Sequence, residues 1–170
     1  MRVSRKTSRF LEISANLAIV IVAVVIVGNF VWSRIRPKQN TSGPSVGNVV
    51  SLTGVNWKEN GRTLLMVLQK GCVYCEASAP FYRKLHDERK GEQPRMLAVI
   101  PGDQVDTAHY LSERGIPTDG VINASLAEVN VSGTPTLLLI DQTGRVKNVW
   151  VGKLDENREK EVMQRAFELH

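Results

Sequence analysis

The feature that most constrains this chain is a pair of cysteines, Cys72 and Cys75, the only two in its 170 residues. They follow a short apolar run at residues 63–68 and precede a segment, residues 76–90, whose apolar residues recur at helical spacing. At the start of a helix, backbone N–H groups and the helix dipole favour the thiolate, the form of cysteine that attacks disulfides. The pattern therefore predicts thiol–disulfide exchange, with Cys72 as the exposed nucleophile and Cys75, one turn further, as the resolving thiol.

The same pair could serve three other purposes. A structural disulfide gains little here, because the loop that it closes spans only four residues. A zinc site needs four ligands, but the chain has no second C-x-x-C, and His86, His109 and His170 stand at no spacing that would complete one. Two incidental buried thiols would not explain a cysteine placed where a strand gives way to a helix. The sequence predicts a redox-active disulfide, with no metal and no other cofactor.

An uncharged apolar segment occupies residues 13–32, near the start of the chain. As a helix, these residues would span about 30 Å, which is the thickness of the hydrocarbon core of a bilayer. No small-x-small cleavage site follows the run, as a cleaved signal peptide would need, and Trp32 suits the membrane interface. The sequence predicts an uncleaved signal anchor at residues 13–32, behind an N-terminal arm at residues 1–12.

The charges of the chain divide near this anchor. Residues 1–38 carry seven Lys or Arg and one acid, whereas residues 39–170 carry fifteen Lys or Arg and sixteen acids. The net charge of +5 therefore belongs to the flanks of the predicted membrane helix, and nucleic acid is not an expected partner. Four basic residues precede the helix and three follow it, which favours a cytoplasmic N-terminus. This orientation predicts a single-pass protein of the bacterial inner membrane with a periplasmic or extracellular C-terminal domain.

The rest of the chain divides into a linker and one domain. Residues 33–48 are mostly polar and rich in Gly, Pro and Ser, which predicts a flexible linker. Residues 49–170 alternate strand and helix patterns, as is typical of an α/β domain with a mixed sheet. Strands are predicted at residues 49–52, 63–68, 96–100, 120–123, 136–140 and 146–151. Helices are predicted at residues 76–90 with a kink at Pro80, at residues 103–114 and 125–129, and after Asp155.

A second motif, Gly133-Thr134-Pro135-Thr136, stands directly before a predicted strand, about sixty residues after the cysteines. A proline at that position is unusual unless it forms a special turn, because proline lacks the N–H donor that a sheet requires. A cis bond between Thr134 and Pro135 would provide such a turn. The sequence therefore predicts a cis Pro135.

These motifs resemble those of the thioredoxin-like superfamily. The run C-V-Y-C-E-A-S-A-P, in which Pro80 follows Cys75 by five residues, resembles the thioredoxin active-site helix with its kinking proline. The run V-S-G-T-P-T-L-L-L-I-D-Q-T-G-R-V, followed by V-G-K-L, resembles the cis-proline segment and the terminal hairpin. The likeness extends from residue 49 to residue 169. With the predicted anchor and linker, the chain is most similar to the membrane-anchored TlpA/redoxin branch of thiol–disulfide oxidoreductases.

The resemblance implies a thioredoxin-like mixed sheet flanked by helices, preceded by a single transmembrane helix. It implies that Cys72 is the nucleophile, Cys75 the resolving cysteine and Pro135 a cis-proline that faces them. The backbone of Thr134 would pair with a substrate strand. Independently of the resemblance, Tyr74 lies between the two cysteines in the sequence, where it could stack on a partner or shield the sulfur. Members of this branch act outside the cytoplasm, and several reduce apocytochrome c. We therefore expect protein thiol and disulfide substrates, a reductive direction and an upstream membrane or periplasmic redox partner.

Two positions depart from the thioredoxin pattern. Gly71 stands where thioredoxins have Trp before the first cysteine, and Met66 stands where they have a buried acid. Another group must then accept the proton that the resolving thiol loses, and Glu59, Glu76 and Glu128 are the candidates. The Val-Tyr pair between the cysteines does not by itself fix a redox direction.

Two other functions are compatible with the motifs. A peroxiredoxin-like peroxidase resembles T-x-x-C around its peroxidatic cysteine, but Gln69 occupies the Thr position here. A non-catalytic metallochaperone or binding module on the same fold would add a nearby His or Met ligand, and the sequence places none convincingly beside the cysteines. Reduction of protein disulfides, consumption of peroxide and binding of copper distinguish the three functions.

Overall fold

The structure, a computed structural model, describes residues 43–167 of the chain. The predicted arm at residues 1–12, the predicted anchor at residues 13–32 and most of the predicted linker lie outside the described residues. Within residues 43–167, no helix is long and apolar enough to cross a membrane.

The domain is built on a five-stranded mixed sheet with the strand order β3-β2-β1-β4-β5. The strands are β1 (Thr63–Val67), β2 (Arg95–Val99), β3 (Gly120–Ile122), β4 (Thr136–Ile140) and β5 (Val146–Val151). The helices are α1 (Trp57–Asn60), α2 (Val73–Ala77), α3 (Ala79–Glu88), α4 (Gln104–Glu113) and α5 (Glu156–Phe167). β1, β2 and β3 are parallel, whereas β4 is antiparallel to β1 and β5 is antiparallel to β4. The predicted mixed α/β sheet is confirmed.

The two central strands, β1 and β4, are buried along their whole length. Their sequences are continuous apolar runs, as expected for strands that are covered on both faces. The register pairs Leu64 with Leu139 and Met66 with Leu137, and these four side chains belong to the core formed with helices α2 to α5. Because successive side chains of a strand point to opposite faces, Leu65 packs on the other side of the sheet.

That other face is covered mainly by irregular chain rather than by long helices. Leu65 and Leu138 pack there against apolar side chains from residues 50–57 and 124–131. Trp57, in the one-turn helix α1, closes the first of these segments, because its indole N–H donates to the Val50 carbonyl at 2.8 Å. The sequence did not predict α1, which is too short to show a helical period.

The predicted strand at residues 49–52 is wrong. Among the described residues, this segment forms a single isolated bridge, between Val49 and Arg145. The chain instead runs along the hairpin that joins β4 to β5, where the Val50 N–H donates to the Gly144 carbonyl at 2.8 Å. These hydrogen bonds join the segment to a turn, so it has no long strand edge with which to pair.

The predicted helix at residues 125–129 is also wrong, because these residues form a turn. The carboxylate of Glu128 accepts both the backbone N–H of Ser125, at 2.6 Å, and the Ser125 hydroxyl, at 2.7 Å. Such side-chain bonds give the backbone an alternative to helix formation. Asn130, with a φ of 54°, then turns the chain away before a second helical turn can form.

The predicted helix at residues 76–90 is two helices, α2 and α3, that meet at Ser78. The Ser78 N–H donates to the carbonyls of Tyr74 and Cys75, which ends α2. Pro80 is the second residue of α3, where a helix leaves its N–H groups unpaired, so the missing donor does no harm. The proline therefore lies where a new helix begins, not within one kinked helix.

The remaining predicted elements are confirmed, with their ends shifted by a residue or two. Asp103 caps α4, because its carboxylate accepts the Val105 N–H at 2.9 Å. Asp155 caps α5 in the same way, accepting the Arg158 N–H at 2.9 Å. Carboxylates at these positions satisfy N–H groups that a helix start leaves unpaired.

An ion pair that the sequence did not predict ties α3 to the starts of β2 and β3. Both carboxylate oxygens of Asp119 contact the guanidinium of Arg89, and one also accepts the Met96 N–H at 2.7 Å. Burial raises the pKa of Asp119, but the hydrogen bonds from Arg89 and Met96 outweigh burial and hold the pKa below its ordinary value. The pair fixes the edge of the sheet on which β3 lies.

Candidate redox-active site

Cys72 and Cys75 are joined by a disulfide at the start of α2. Cys72 is the residue that caps this helix, and its Sγ accepts the backbone N–H of Cys75 at 3.1 Å. The two Cα atoms are 5.2 Å apart, which is ordinary for a disulfide. The arrangement of strand, C-x-x-C and helix that the sequence predicted is therefore present, with the first sulfur at a helix N-terminus.

The two cysteines differ in exposure. Cys75 is fully buried among the side chains of the helix-covered core, whereas Cys72 is only partly buried. The residues between them, Val73 and Tyr74, are 75% and 64% exposed. A partner protein can therefore reach the sulfur of Cys72 more readily than that of Cys75. This asymmetry suits the predicted roles of nucleophile and resolving cysteine, which stay predictions.

The cis-proline segment lies against the exposed sulfur. The Thr134–Pro135 peptide bond is cis. The Thr134 carbonyl oxygen is 3.6 Å from Cys72 Sγ, and the Thr134 hydroxyl donates to that sulfur at 3.5 Å. A backbone hydrogen bond also fixes Pro135, because its carbonyl accepts the Gly152 N–H at 2.7 Å. The second sequence motif thus contacts the first through Thr134.

The sheet brings these two motifs together although 62 residues separate Cys72 from Thr134. β1 leads into the cysteine motif and β4 starts directly after Pro135. In their antiparallel register Val67 pairs with Thr136, so the end of β1 lies beside the start of β4. Gly71 then turns the chain from β1 into α2 with a φ of 73°, a conformation that would be strained for the Trp found there in thioredoxins.

The position of the absent acid is apolar in the structure as well as in the sequence. Met66 is fully buried in β1 and belongs to the same core as Cys75. Of the three candidate carboxylates, Glu76 alone lies on the cysteine helix. Glu59 is exposed on α1, and Glu128 is engaged in its turn, whose hydrogen bonds lower the pKa of its carboxyl. Among the three, Glu76 is therefore the carboxylate that the fold places at the site.

Glu76 is not isolated. Its Oε1 is 3.3 Å from Nη2 of Arg114, which follows α4. The guanidinium also lies over the ring of Tyr110, 5.8 Å from the ring centre. The Tyr110 hydroxyl is buried and has no hydrogen-bond partner among the described residues, and burial raises its pKa. Sequence reasoning missed this cluster, because no local pattern shows which helix packs beside the cysteines.

Within residues 43–167, no group of three or more His, Cys, Asp or Glu side chains could hold a metal ion. His86 lies beside Asp87 and His109 beside Glu113, in both cases at the surface. His170 lies outside the described residues. The described part of the chain therefore provides no set of metal ligands that would support the metallochaperone alternative.

Fold and site together define a class of protein, an α/β domain in which a C-x-x-C disulfide at a helix N-terminus contacts a cis-proline segment. The sequence profile of the thioredoxin-like domain family matches residues 55–167, and the chain belongs to that family. No curated protein sequence matched the chain. The predicted thioredoxin-like centre for thiol–disulfide exchange is thus confirmed at the level of family, fold and cysteine pair.

Solved structures of the same fold include three bacterial thiol–disulfide proteins. A candidate thiol:disulfide interchange protein DsbE from Chlorobium tepidum is 20% identical, with a TM-score of 0.57 over 71% of this chain and 94% of that chain. A thiol-disulfide isomerase from Corynebacterium glutamicum is 18% identical, with a TM-score of 0.56 over 74% and 94%. The thioredoxin domain of a thiol-disulfide oxidoreductase from Bacteroides vulgatus is 16% identical, with a TM-score of 0.55 over 71% and 96%. At these identities the likeness shows the fold.

Proposed function

We propose that this protein is a membrane-tethered thiol–disulfide oxidoreductase that reduces disulfides in exported protein substrates. The observation that carries the proposal is the position of the Cys72 sulfur. It lies at the N-terminus of α2, partly exposed, bonded to the buried Cys75 and in contact with Thr134. A partner can reach this sulfur from solvent, and the buried cysteine can displace that partner from inside.

The reaction requires two exchanges. In the reduced protein, the Cys72 thiolate attacks one sulfur of a substrate disulfide, and the other substrate sulfur leaves as a thiolate that takes up a proton. The Cys75 thiol then gives up its proton to solvent and attacks Cys72 Sγ, and the departing substrate thiolate takes up a proton in turn. This step breaks the mixed disulfide, restores the Cys72–Cys75 disulfide and releases the second substrate thiol. Two electrons have passed to the substrate, and an upstream dithiol must return two electrons to the protein.

The site is arranged to stabilise the Cys72 thiolate. The Cys75 N–H is 3.1 Å from the sulfur and the Thr134 hydroxyl is 3.5 Å from it, while the sulfur lies at the positive end of α2. Donors that face a charged sulfur lower the free energy of the ionised form. The Cys75 N–H belongs to the first turn of α2, and Thr134 belongs to the cis-proline segment, so both donors lie in elements that the fold positions beside the sulfur.

The surface around the sulfur suits a polypeptide. Val73 and Tyr74 project into solvent from the first turn of α2, and Val151 is half exposed in β5, opposite Thr136. Exposed apolar groups that surround a reactive atom are typical of a protein contact. We infer that an extended partner segment binds here, with its backbone at Thr134 and an apolar side chain against Tyr74.

The membrane tether rests on the sequence. Residues 13–32 have the length and composition of a membrane helix, and the basic flanks favour a cytoplasmic N-terminus. The domain would then act outside the cytoplasm, where protein disulfides persist, and would receive electrons from a membrane or periplasmic redox protein. The resemblance to the TlpA/redoxin branch adds apocytochrome c as a substrate. Carbonate-resistant sedimentation of the full chain with membranes, lost when residues 1–32 are removed, tests the tether.

The activity is tested with the full-length chain in mild detergent, first reduced and then mixed with insulin as the disulfide substrate. We expect insulin reduction by the wild type and none by Cys72→Ser. Cys75→Ser should stop after the first exchange and accumulate a mixed disulfide, which also allows natural substrates to be captured from a bacterial envelope. A dithiol form that leaves insulin intact would contradict the oxidoreductase proposal, and peroxide consumption in its place would support the peroxidase.

The direction of transfer is tested by equilibrating the protein with glutathione redox buffers. Proteins of this fold have potentials from about −270 mV to about −120 mV, depending on how far the reduced form is stabilised. A value near the lower limit supports a reductase. A value near the upper limit would make the protein an oxidant and overturn the proposed direction.

A further inference from the structure

An ion pair between Glu76 and Arg114 lies beside the cysteine motif. Glu76 follows Cys75 directly and comes four residues after Cys72, and its backbone N–H donates to the Cys72 carbonyl at 3.1 Å. Side chains four residues apart on a helix leave it from neighbouring positions. The Glu76 carboxylate therefore projects from the same turn as the sulfur that becomes a thiolate.

Arg114 reaches this turn from another part of the chain and is held in place there. Its backbone N–H donates to the Tyr110 carbonyl at 3.1 Å, and its guanidinium lies over the Tyr110 ring. Nη1 of Arg83 donates hydrogen bonds to the carbonyls of both Arg114 and Gly115, at 3.4 and 2.9 Å. The end of α4 is thus tied to α3, so the guanidinium is presented to Glu76 by two helices that the core already fixes.

The charges of this pair act on the cysteines in opposite directions. A carboxylate raises the free energy of a nearby thiolate, whereas a guanidinium lowers it. The two side chains are 32% and 48% exposed, so water weakens both effects without removing them. When the pair is formed, the two effects on the cysteines oppose each other.

Other ionisable groups beside the motif already have compensating surroundings. Lys70, before the cysteines, pairs with Asp106 at 3.0 Å. Tyr82 and Tyr110 are buried behind α2, and burial raises the pKa of both phenols, so they stay neutral at the pH of the reaction. Removing Arg114 therefore leaves a full negative charge on the cysteine helix, whereas removing Glu76 leaves a full positive charge on Arg114 at the end of α4.

We propose that the Glu76–Arg114 ion pair keeps the charge of Glu76 from shifting the reduction potential of the cysteine pair, with Arg114 as a positioning residue that cancels that charge. The inference rests on the proposed function in that it assigns the cysteines to disulfide exchange. Without Arg114, the carboxylate destabilises the thiolate and hence the reduced protein, which becomes a stronger reductant. Without the carboxylate, the guanidinium stabilises the thiolate, and the protein becomes a weaker reductant.

The experiment compares Arg114→Gln, Glu76→Gln and the double variant with the wild type, as full-length chains in glutathione buffers from pH 6 to 9. The equilibrium constant for reduction of the protein disulfide by glutathione should fall about two- to fivefold in R114Q and rise by a similar factor in E76Q. These factors correspond to opposite shifts of about 10–20 mV, since tenfold is about 30 mV for a two-electron couple. The double variant should return close to the wild type. All shifts should fade at low pH, where the reduced protein carries no thiolate.

The exposed pair of Lys84 and Glu88 on α3, with its charged atoms 3.9 Å apart, supplies matched controls. Lys84→Gln and Glu88→Gln make the same changes of net charge and should leave the equilibrium constant unchanged. A merely structural role would move R114Q and E76Q in the same direction, because both would loosen the same contact. Shifts of one sign, a shift in only one variant or no shift would overturn the proposal. The equilibrium is measurable whether or not the protein reduces insulin, so failure of the proposed function remains distinguishable.

Discussion

The two ends of strand β4 satisfy their polar groups in different ways. At the start of β4, which we call the redox end, Thr134 contacts the partly exposed Cys72, and Tyr74, two residues after Cys72, projects into solvent. At the finish of β4, which we call the hairpin end, residues 141–145 turn the chain into β5. The redox end presents a reactive sulfur to partners, whereas the polar groups of the hairpin end form hydrogen bonds chiefly with one another.

The hairpin end is closed by its own hydrogen bonds. The carboxylate of Asp141 accepts the Thr143 N–H at 2.8 Å, the Thr143 hydroxyl at 2.6 Å and the Arg145 N–H at 3.1 Å. Burial raises the pKa of Asp141, but these hydrogen bonds outweigh it and lower the pKa overall. The incoming chain adds a further contact, since the Gly47 N–H donates to the Val146 carbonyl at 2.8 Å.

The two ends of β4 therefore have different roles, one in the stability of the fold and the other in its redox chemistry. Chain entry, the hairpin turn and the Arg89–Asp119 ion pair all lie at the hairpin end, where the registers place Thr63 beside both Ile140 and Arg95. Substitutions there should lower the free energy of unfolding and leave the reduction potential unchanged. Substitutions at the redox end should act chiefly on the reduction potential or on the use of protein substrates, with smaller losses of stability.

The largest expected effect comes from Gly144→Ala at the hairpin end. The backbone of Gly144 has a φ of 79°, and an added Cβ would lie 2.7 Å from Cδ1 of Trp57. Left-handed strain and overpacking together should lower the free energy of unfolding by about 3 kcal/mol. Urea denaturation of the full-length chain measures this loss.

Gly71→Ala is the matched control at the redox end. Gly71 has a similar φ of 73°, but a Cβ there would meet nothing within 4 Å. Only the backbone strain remains, so the loss should be about 1 kcal/mol. Equal losses for the two alanine variants would show that the two ends are packed alike and that the hairpin end is not the more tightly closed of the two.

The next effect comes from Asp119→Asn, which breaks the ion pair at the hairpin end. The side chains of Arg89 and Asp119 are 12% and 21% exposed, so the loss should be about 2 kcal/mol, below that of a fully buried pair. Because folding lowers the pKa of Asp119, its carboxylate stabilises the fold above its unfolded pKa of about 3.9. That contribution disappears as the pH falls through the lower folded value.

Urea denaturation at several pH values checks this prediction. The difference between wild type and D119N should be full at pH 7 and should shrink below about pH 4. Glu88→Gln makes the same change of charge in an exposed pair and should alter stability by less than about 0.5 kcal/mol. A D119N loss that is as large at pH 3 as at pH 7, or that Glu88→Gln reproduces, would rule out the ion pair as its cause.

The sequence predicted the redox end better than the hairpin end, for a physical reason. The chemistry at the redox end is carried by short contiguous motifs, Cys72 to Cys75 and Gly133 to Thr136, and buried strands on each side show as apolar runs. The Arg89–Asp119 pair joins residues 30 positions apart. No periodic pattern in the sequence predicts which carboxylate forms an ion pair with which guanidinium. Long-range polar contacts of this kind appear only when the fold is known.

The two wrong elements have a related cause. Residues 125–129 look helical, but the Ser125–Glu128 hydrogen bonds stabilise a turn instead. Residues 49–52 look like a strand, but the chain beside them offers only the turn at residues 144–145. In the first segment side-chain hydrogen bonds, and in the second the topology of the sheet, determined the structure. Each prediction rested on a pattern of only four or five residues, and over so short a length periodicity is a weak predictor of secondary structure.

At the redox end, Tyr74→Ala should weaken the use of protein substrates without changing the potential. An exposed aromatic side chain at the centre of a contact contributes about 1 kcal/mol, so kcat/KM for insulin should fall about fivefold. The rate with a small aromatic disulfide, which cannot reach across the surface, should stay the same. Val46→Ala, which shortens an equally exposed apolar side chain before the hairpin, should leave both rates unchanged. A parallel fall in the two Y74A rates would mean that Tyr74 acts on the sulfur instead of on the partner.

The smallest expected effect concerns Thr134, whose hydroxyl donates to Cys72 Sγ at 3.5 Å. Thr134→Val keeps the shape of the side chain and removes the donor, so the thiolate loses one hydrogen bond. At this length the bond is weak, and the equilibrium constant for reduction by glutathione should fall about twofold. Thr134→Ser keeps the hydroxyl and should match the wild type. If the valine and serine variants behave alike, the hydroxyl has no part in the potential, and the redox end stabilises its thiolate through α2 alone.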